Sequence, residues 1–476
     1  QFRQNKQAEV IAVYLEEIAD GQRLMEVVSR LALNKPVIVL KAGLTEEGSR
    51  ASLSHTGSMA GSRQATLTGL RRAGALVAES LEDFFNLIEL FGKKKDIPYG
   101  DIFIISNAGG PLVVAADEIS KYGLTIGKWG KDTQKKLEKV LPSATPGVNP
   151  LDIIGDADAA RYKQSLETVL KDKNVRQLLV LLTPQSATQI RETAQEIALL
   201  SKKYSRKLIL TSFIGGSSLS EARKILEKSS ALHYEYPVQA IRNLSKLNRF
   251  RCLQYNLKPY TSPSIPAKEP KQQQKDYIES LNLLKEYRIP VVETFVIHHH
   301  KDLDSLSYPI VLKAVGPDIV HKTDKKFIVL NIANKTRAKA VRKEFQENMG
   351  ENDYCVAQSM VSDGTEMLVG FKRDEKFGTI IMAGAGGIYT EILEDVQTEV
   401  DDVNTNRAKQ MVQNLRIYPL LRGARSNKKL AVPQVVQAIV NIARLARENP
   451  QISELDINPL FVTQEGVKAG DVRIIE

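Results

Sequence analysis

The sequence predicts an α/β protein in which two doubly wound parallel-sheet domains lead into a third domain. Three observations predict it. Short apolar runs of β type alternate with amphipathic helical patterns as far as Arg249. That alternation stops and restarts once, at the basic run Lys93–Lys95. A stretch without hydrophobic periodicity, Lys258–Lys275, then breaks it with four prolines and three consecutive glutamines. At 476 residues the chain also exceeds what one hydrophobic core serves, and about three domains are expected.

The elements follow in order. Val10–Leu15 reads as strand, Gly21–Leu33 as helix and Pro36–Lys41 as strand. After a Gly/Ser-rich loop, Ser62–Ala73 reads as helix, with Gly74 placed to stop it. Ala75–Glu79 is a strand and Leu81–Phe91 a helix. In the second domain Asp101–Ser106, Gln177–Thr183 and Lys207–Ser212 are strands, and Pro111–Tyr122 and Ser186–Lys203 are helices. Beyond the linker, Asp276–Tyr287 is a helix, and Val291–Ile297, Pro309–Ala314 and Gly378–Met382 are strands. The tail carries a helix at Pro433–Glu448 and a strand pair around Leu460 and Val472. The domain limits are therefore 1–95, 96–257, a linker 258–275, and 276–476.

Composition narrows the function. Hydrophobic content of 42% and charged content of 26% are those of an ordinary globular protein. No apolar run approaches the length that crosses a bilayer, and no signal-peptide pattern opens the chain, so a cytoplasmic protein without a membrane partner is expected. Cys252 and Cys355 have no metal spacing and suggest no disulfide framework. The net charge of +10 suits an anionic partner. Because the basic residues are scattered, nucleotide or CoA phosphates fit better than nucleic acid, and plain solvation of surface helices fits too.

Five segments carry candidate chemistry. Ser54-His55-Thr56-Gly57-Ser58-Met59-Ala60-Gly61 surrounds one imidazole with small residues, which leaves the ring accessible as a nucleophile. A loop histidine that only bonds the backbone also fits. Ser106-Asn107-Ala108-Gly109-Gly110-Pro111 joins a strand to a helix, where free N–H groups and the helix dipole favour an anion. A plain tight turn is the other reading. In Tyr308-Pro309-Ile310-Val311-Leu312-Lys313, a lysine ending a buried strand can reach phosphate in a cleft. In Met382-Ala383-Gly384-Ala385-Gly386-Gly387, three glycines in four positions follow a strand and again suggest phosphate, or else a tight turn. Glu454-Leu455-Asp456-Ile457-Asn458-Pro459-Leu460 leads to Asp471, and strands running out and back would bring Asn458 and Asp471 together as oxygen ligands for Mg²⁺. A structural Asn-Pro turn with a solvated Asp fits as well. His298-His299-His300 would splay its rings to opposite faces of a strand and is not read as a metal site.

Taken together and in order, these segments resemble the ADP-forming acyl-CoA synthetases, relatives of succinyl-CoA synthetase. The resemblance covers nearly the whole chain. It implies two doubly wound, flavodoxin-like parallel-sheet domains followed by an ATP-grasp domain. It makes His55 the phosphorylated histidine and Glu16, in Tyr14-Leu15-Glu16-Glu17-Ile18, its supporting carboxylate. It makes Asn107, Gly109 and Gly110 part of a phosphate cradle at a helix start. Lys313, Gly384, Gly386 and Gly387 become nucleotide contacts, and Asn458 and Asp471 magnesium ligands. His321, in His321-Lys322-Thr323-Asp324, matches a histidine proposed to relay phosphate, although Lys325-Lys326-Phe327 follows where the family has Val-Gly-Gly. Tyr418-Pro419-Leu420-Leu421 matches a further ATP-grasp segment. The implied reaction is acyl-CoA + ADP + phosphate ⇌ carboxylate + ATP + CoA, with Mg²⁺, ATP/ADP, CoA and a small carboxylate as cofactors and partners and room for a homo-oligomer. The family's CoA-binding Rossmann domain and a second cradle would precede residue 1. Two other readings are a non-catalytic, regulatory or acyltransferase-linked module of the same fold, and an ATP-grasp ligase that forms an amide through acyl phosphate.

Overall fold

The computed structural model describes residues 5, 7–45, 47, 62–93, 98–143, 145–256, 258–262, 273–316, 319, 327–361, 364–387, 395–423 and 429–476. The chain divides into two compact units. The first comprises Gln1–Glu17, Leu24–Met59 and Ala73–Tyr260, and the second Ile18–Arg23, Ala60–Arg72 and Thr261–Glu476.

The first unit holds two parallel sheets. One has the order β1-β2-β3, from Ile11–Leu15, Val37–Lys41 and Leu76–Ala78. Helices α1 (Gly21–Ala32) and α3 (Leu81–Lys93) accompany these strands in the chain, whereas α2 (Arg63–Arg72), between β2 and β3 in sequence, belongs to the second unit. Gly74, at φ +83°, makes the turn out of α2 that a side chain would resist. The other sheet has the order β5-β4-β6-β7-β8, from Leu151–Asp152, Ile102–Ser106, Gln177–Leu182, Leu208–Phe213 and Leu232–Tyr234. Counted within the sheet this is 2-1-3-4-5, the flavodoxin-like doubly wound order. Every residue of β4, β6 and β7 is buried, as expected of parallel strands covered on both faces. The helices are α4 (Gly109–Lys121), α5 (Lys131–Leu137), α6 (Ala159–Lys171), α7 (Ile190–Lys203), α8 (Ser220–Glu227) and α9 (Pro237–Asn256).

The sequence suggests separate cores for these two sheets, yet one cluster serves both. Ile38, Leu40 and Leu76 of the small sheet and Phe84 and Leu87 of α3 share a core with Ile102, Leu179, Leu210 and the α9 residues Ile241, Leu244 and Phe250. A three-stranded sheet has too little surface to close a core alone, so it borrows the helices of its neighbour.

The second unit is antiparallel in its sheets. Four strands have the order β11-β10-β12-β9: Ile328–Ile332, Ile310–Val315, Tyr354–Ser359 and Thr294–Ile297. A second sheet runs β15-β14-β13-β16-β17, from Val396–Val400, Gly378–Ala385, Thr365–Asp374, Glu454–Val462 and Val467–Ala469, with β18 (Arg473–Ile475) also paired to β16. The helices are α10 (Tyr277–Glu286), α11 (Lys335–Gln346), α12 (Thr405–Gln413), α13 (Tyr418–Leu421) and α14 (Val432–Glu448). Asp276 caps α10 by accepting the N–H groups of Ile278 and Glu279 at 2.9 and 3.1 Å. At the far end of α14, Arg373 donates to the carbonyls of Ala446, Asn449 and Ile452, satisfying groups a helix C-terminus leaves open. Among the described residues no helix is long and apolar enough to cross a membrane.

Several elements depart from the sequence reading, among them β9, which begins at Thr294 rather than Val291. Helix α4 begins at Gly109, so Pro111 is its third residue; the first turn tolerates proline because its N–H groups have no helical partner anyway. Helix α7 begins at Ile190 rather than Ser186. Strand β14 runs to Ala385, into what reads as a glycine-rich loop.

Candidate active site

Strand β10 sets the first piece of the site. Ile310, Leu312 and Ala314 face a core shared with α11, and alternation turns Lys313 to the opposite face. Lys313 is 6% exposed. Its Nζ donates to the Gly470 carbonyl at 2.7 Å and lies 3.9 Å from Asp471 Oδ1. The lysine stands inside the strand rather than at its end, because β10 continues to Val315.

Strand β16 sets the second piece. Its last residues pair with β17, Leu460 opposite Ala469, and its first with β18, Asp456 opposite Arg473. Between these ladders the Gly470 N–H donates to the Pro459 carbonyl at 2.8 Å. The out-and-back path thus places Asn458 and Asp471 on neighbouring stretches of backbone. Asn458 Oδ1 accepts the Gly387 N–H at 3.0 Å, which ties the end of β14 to the same place. Lys313, Gly387, Asn458 and Asp471 are therefore linked by hydrogen bonds and chain neighbours through Gly470 and Pro459.

The glycines of this region are also required by the packing of the chain itself. Gly384 lies in β14, paired with Leu368 and Val396, and a Cβ there would sit 2.6 Å from the Asp395 carbonyl oxygen. A Cβ on Gly386 would lie 2.5 Å from the Met367 carbonyl carbon. Both are glycine because backbone passes too close. Gly387 has φ +61°, and its N–H already serves Asn458.

An amide oxygen and a carboxylate are hard donors of the kind Mg²⁺ takes, leaving its other positions to phosphate and water. Among the described residues no three His, Cys, Asp or Glu side chains could hold a metal, so a protein-only cage is not built here. The donor set fits Mg²⁺ held jointly with a nucleotide. Asp456 was not singled out in the sequence. It precedes Asn458 by two residues on β16, the spacing that shares a strand face, and burial, with the charges of Glu454 and Asp471, pushes its carboxyl up to about 6. Its i, i+2 spacing from Asn458 was the available signal. Nearby, Asp395 accepts the N–H groups of Arg416 and Ile417 at 2.9 and 3.0 Å and so holds the approach to α13, the Tyr418–Leu421 segment.

The other expected phosphate contacts lie in the first unit. Helix α4 starts at exposed Gly109 and Gly110 with no side-chain cap, so its first N–H groups remain for a ligand. Asn107 is different. It is 1% exposed and its amide spans the ends of β4 and β6, donating to the Thr183 carbonyl at 2.8 Å and accepting the Thr183 N–H at 2.9 Å. It also donates to Thr188 Oγ1 at 3.2 Å. Its side chain thus fills the crevice between strands one and three where flavodoxin-like sheets take ligands. Asp152 Oδ2 would lie 3.4 Å from a Cβ on Gly109, an anion already beside the helix start. Asp152 Oδ1 accepts the N–H of Ile154, which stands at φ +71°, a costly conformation for a β-branched residue.

Glu16 is exposed just past β1, and its carbonyl accepts a bond from the buried Lys41 ammonium at 2.9 Å. His55 and its loop, and His321 through Lys326, lie outside the described residues. Of the His298–His300 run, His299 opens a short 3-10 helix and shares a capping box with Asp302.

The chain resembles known proteins along its whole length. Residues 1–91 match the succinyl-CoA ligase like flavodoxin domain, 102–243 the ligase-CoA domain and 267–475 the ATP-grasp domain. An ADP-forming acetate–CoA ligase of Archaeoglobus fulgidus is 32% identical over 98% of this chain and 70% of its own length. An ADP-forming 4-hydroxybutyrate–CoA ligase of Nitrosopumilus maritimus is 31% identical over 99% of this chain and 71% of its own. Among solved structures, the dinucleotide forming acetyl-coenzyme A synthetase 1 of Ca. Korarchaeum cryptofilum in complex with phosphate and ADP is 30% identical, covering 54% of this chain and 56% of that one at a TM-score of 0.51. Two ligase-type parallel sheets and an ATP-grasp region define an acid–thiol ligase. More narrowly, the chain belongs to the ADP-forming acyl-CoA synthetases.

Proposed function

We propose that this chain interconverts acyl-CoA, ADP and phosphate with carboxylate, ATP and CoA. Phosphate displaces CoA from the acyl group to give an acyl phosphate. His55 takes the phosphoryl group and releases the carboxylate, and ADP then takes it from His55. Dividing the transfer lets each step be positioned separately. The observation that carries the reading is the Lys313–Asp471–Asn458–Gly387 cluster. It joins a buried cation, two magnesium-type ligands and a backbone turn in one unit, as a triphosphate with its metal requires. Mg²⁺ bound there would neutralise phosphate charge. Lys313 would hold phosphate oxygens, and the helix start at Gly109 and Gly110 would hold the phosphorylated histidine. Glu16 would orient the imidazole, and His321 would serve as a relay.

An amide-forming ligase needs neither a succinyl-CoA ligase like domain nor a ligase-CoA domain, and this chain matches both. The acyl group is taken to be a small carboxylate. Two measurements test the proposal. Asn458→Ala with Asp471→Ala should remove the magnesium-dependent part of nucleotide binding in calorimetry; undiminished Mg-ATP affinity would overturn the metal assignment. With γ-labelled ATP, an acid-labile, base-stable label should appear and vanish in His55→Ala. Full labelling of that variant would move the phosphohistidine elsewhere, with His321 examined first.

A further inference from the structure

A buried polar circuit lies behind Asp471, and no motif announces it. Tyr277 is the first residue of α10, just after its cap Asp276, and is 5% exposed. Its ring packs in the core with Val315, Met367 and Val472. Its oxygen lies 3.4 Å from the Gly470 carbonyl and is also hydrogen-bonded to the Asp471 carboxylate. From the other side, Gln358 Nε2 donates to the Tyr277 oxygen at 3.1 Å and to Thr294 Oγ1 at 2.9 Å. Thr294 Oγ1 donates to the Val292 carbonyl at 2.8 Å. The Val292 N–H donates to the Ala469 carbonyl at 2.9 Å, which returns the circuit to the residue two before Asp471.

The proton count gives this circuit a direction. A phenol has one proton to donate. Gln358 already donates to the oxygen, so the phenolic proton points toward Gly470 and Asp471. The Gly470 carbonyl has a stronger donor in the Lys313 ammonium at 2.7 Å. The Asp471 carboxylate is the better acceptor for Tyr277.

We propose that Tyr277 is a positioning residue that holds the Asp471 carboxylate toward its metal, with Gln358 and Thr294 holding the phenol in turn. The inference rests on the reading of Asp471 as a magnesium ligand. Partners that orient a ligating carboxylate typically change metal affinity by about 10- to 100-fold when removed. Tyr277→Phe keeps the ring in the core and removes only the hydroxyl.

The test titrates Mg²⁺ into the full chain with saturating ATP, by calorimetry, for Tyr277→Phe, Gln358→Met and Asp471→Asn. ATP affinity in EDTA and the melting temperature are measured alongside. Tyr277→Phe should weaken apparent Mg²⁺ affinity by about tenfold, with Gln358→Met shifted less in the same direction. Metal-free ATP affinity should not move. If Asp471→Asn loses the magnesium dependence and Tyr277→Phe keeps it, the inference is wrong while the metal reading stands. A lowered melting temperature with unchanged Mg²⁺ affinity likewise assigns Tyr277 to structure alone. If Asp471→Asn itself keeps the dependence, the metal reading falls and takes the inference with it.

Discussion

Two glycine-rich segments follow strands in this chain, and they are glycine for different reasons. At Gly109-Gly110 the residues are exposed at an uncapped helix start, and a Cβ on Gly110 would meet nothing within 4 Å. At Gly384 and Gly386 a Cβ would meet backbone at 2.6 and 2.5 Å. The first segment has space around it, which a ligand can use. The second has none, because β13 and the residues entering β15 occupy it. A run of glycines in sequence therefore signals close approach without saying whether the approaching atoms belong to a ligand or to the chain.

Substitution should separate the two segments clearly. Gly386→Ala must push a methyl into the Met367 carbonyl. It should cost about 3 kcal/mol or more, read as a lower urea midpoint for the second unit. A midpoint within error of the parent would show that β13 and β14 can separate and that the close approach is not essential. Asn107 supplies the next effect. Asn107→Ala strands the Thr183 N–H and carbonyl at the end of β6, and should cost about 2 kcal/mol in the first unit. A loss of phosphate affinity with stability intact would instead return Asn107 to the ligand.

Acid should also act unequally. Burial, with Arg223 and Lys93 nearby, lowers the His233 imidazole to about 4. A histidine held neutral in the fold favours the native state fully above its unfolded pKa. That contribution is lost as pH falls from about 6.5 toward 4, by about 3 kcal/mol near the lower end. Urea unfolding of the first unit should show this slope, and His233→Gln should flatten it. An unchanged slope in that variant would assign the acid sensitivity to other groups. The smallest effect belongs to Gly110→Ala, which should leave stability within about 0.5 kcal/mol or raise it slightly. A large loss would mean that the helix start is more crowded than its neighbours show.

Much of the fold was legible because the physics behind it is local. Continuous apolar runs and helical periodicity located β4, β6, β7 and α14 to within a residue or two. Fully buried parallel strands such as Leu178–Leu182 can hardly be anything else. The idea of strands running out and back anticipated the pairing of β16 with β17 and β18, which puts Asn458 and Asp471 on neighbouring stretches of backbone. Long-range packing was not legible. Nothing in Gly384-Ala385-Gly386-Gly387 says that Met367 lies against it, and nothing near Asn107 names Thr183, 76 residues on. Tyr277 and Gln358 stood in an ordinary helix and an ordinary strand. Their roles depend on contacts 81 and 193 residues away.

The core shared by the two parallel sheets has a consequence for synthesis. The small sheet and α3 come off the ribosome first, but several side chains that cover them, among them Ile241, Leu244 and Phe250, are translated last in the unit. Until those residues emerge, the core around Ile38, Leu76 and Leu87 lacks part of its cover and stays partly open to solvent or to a chaperone. The first unit should therefore become resistant to protease in nascent chains in one late step, after α9 has cleared the exit tunnel, rather than sheet by sheet.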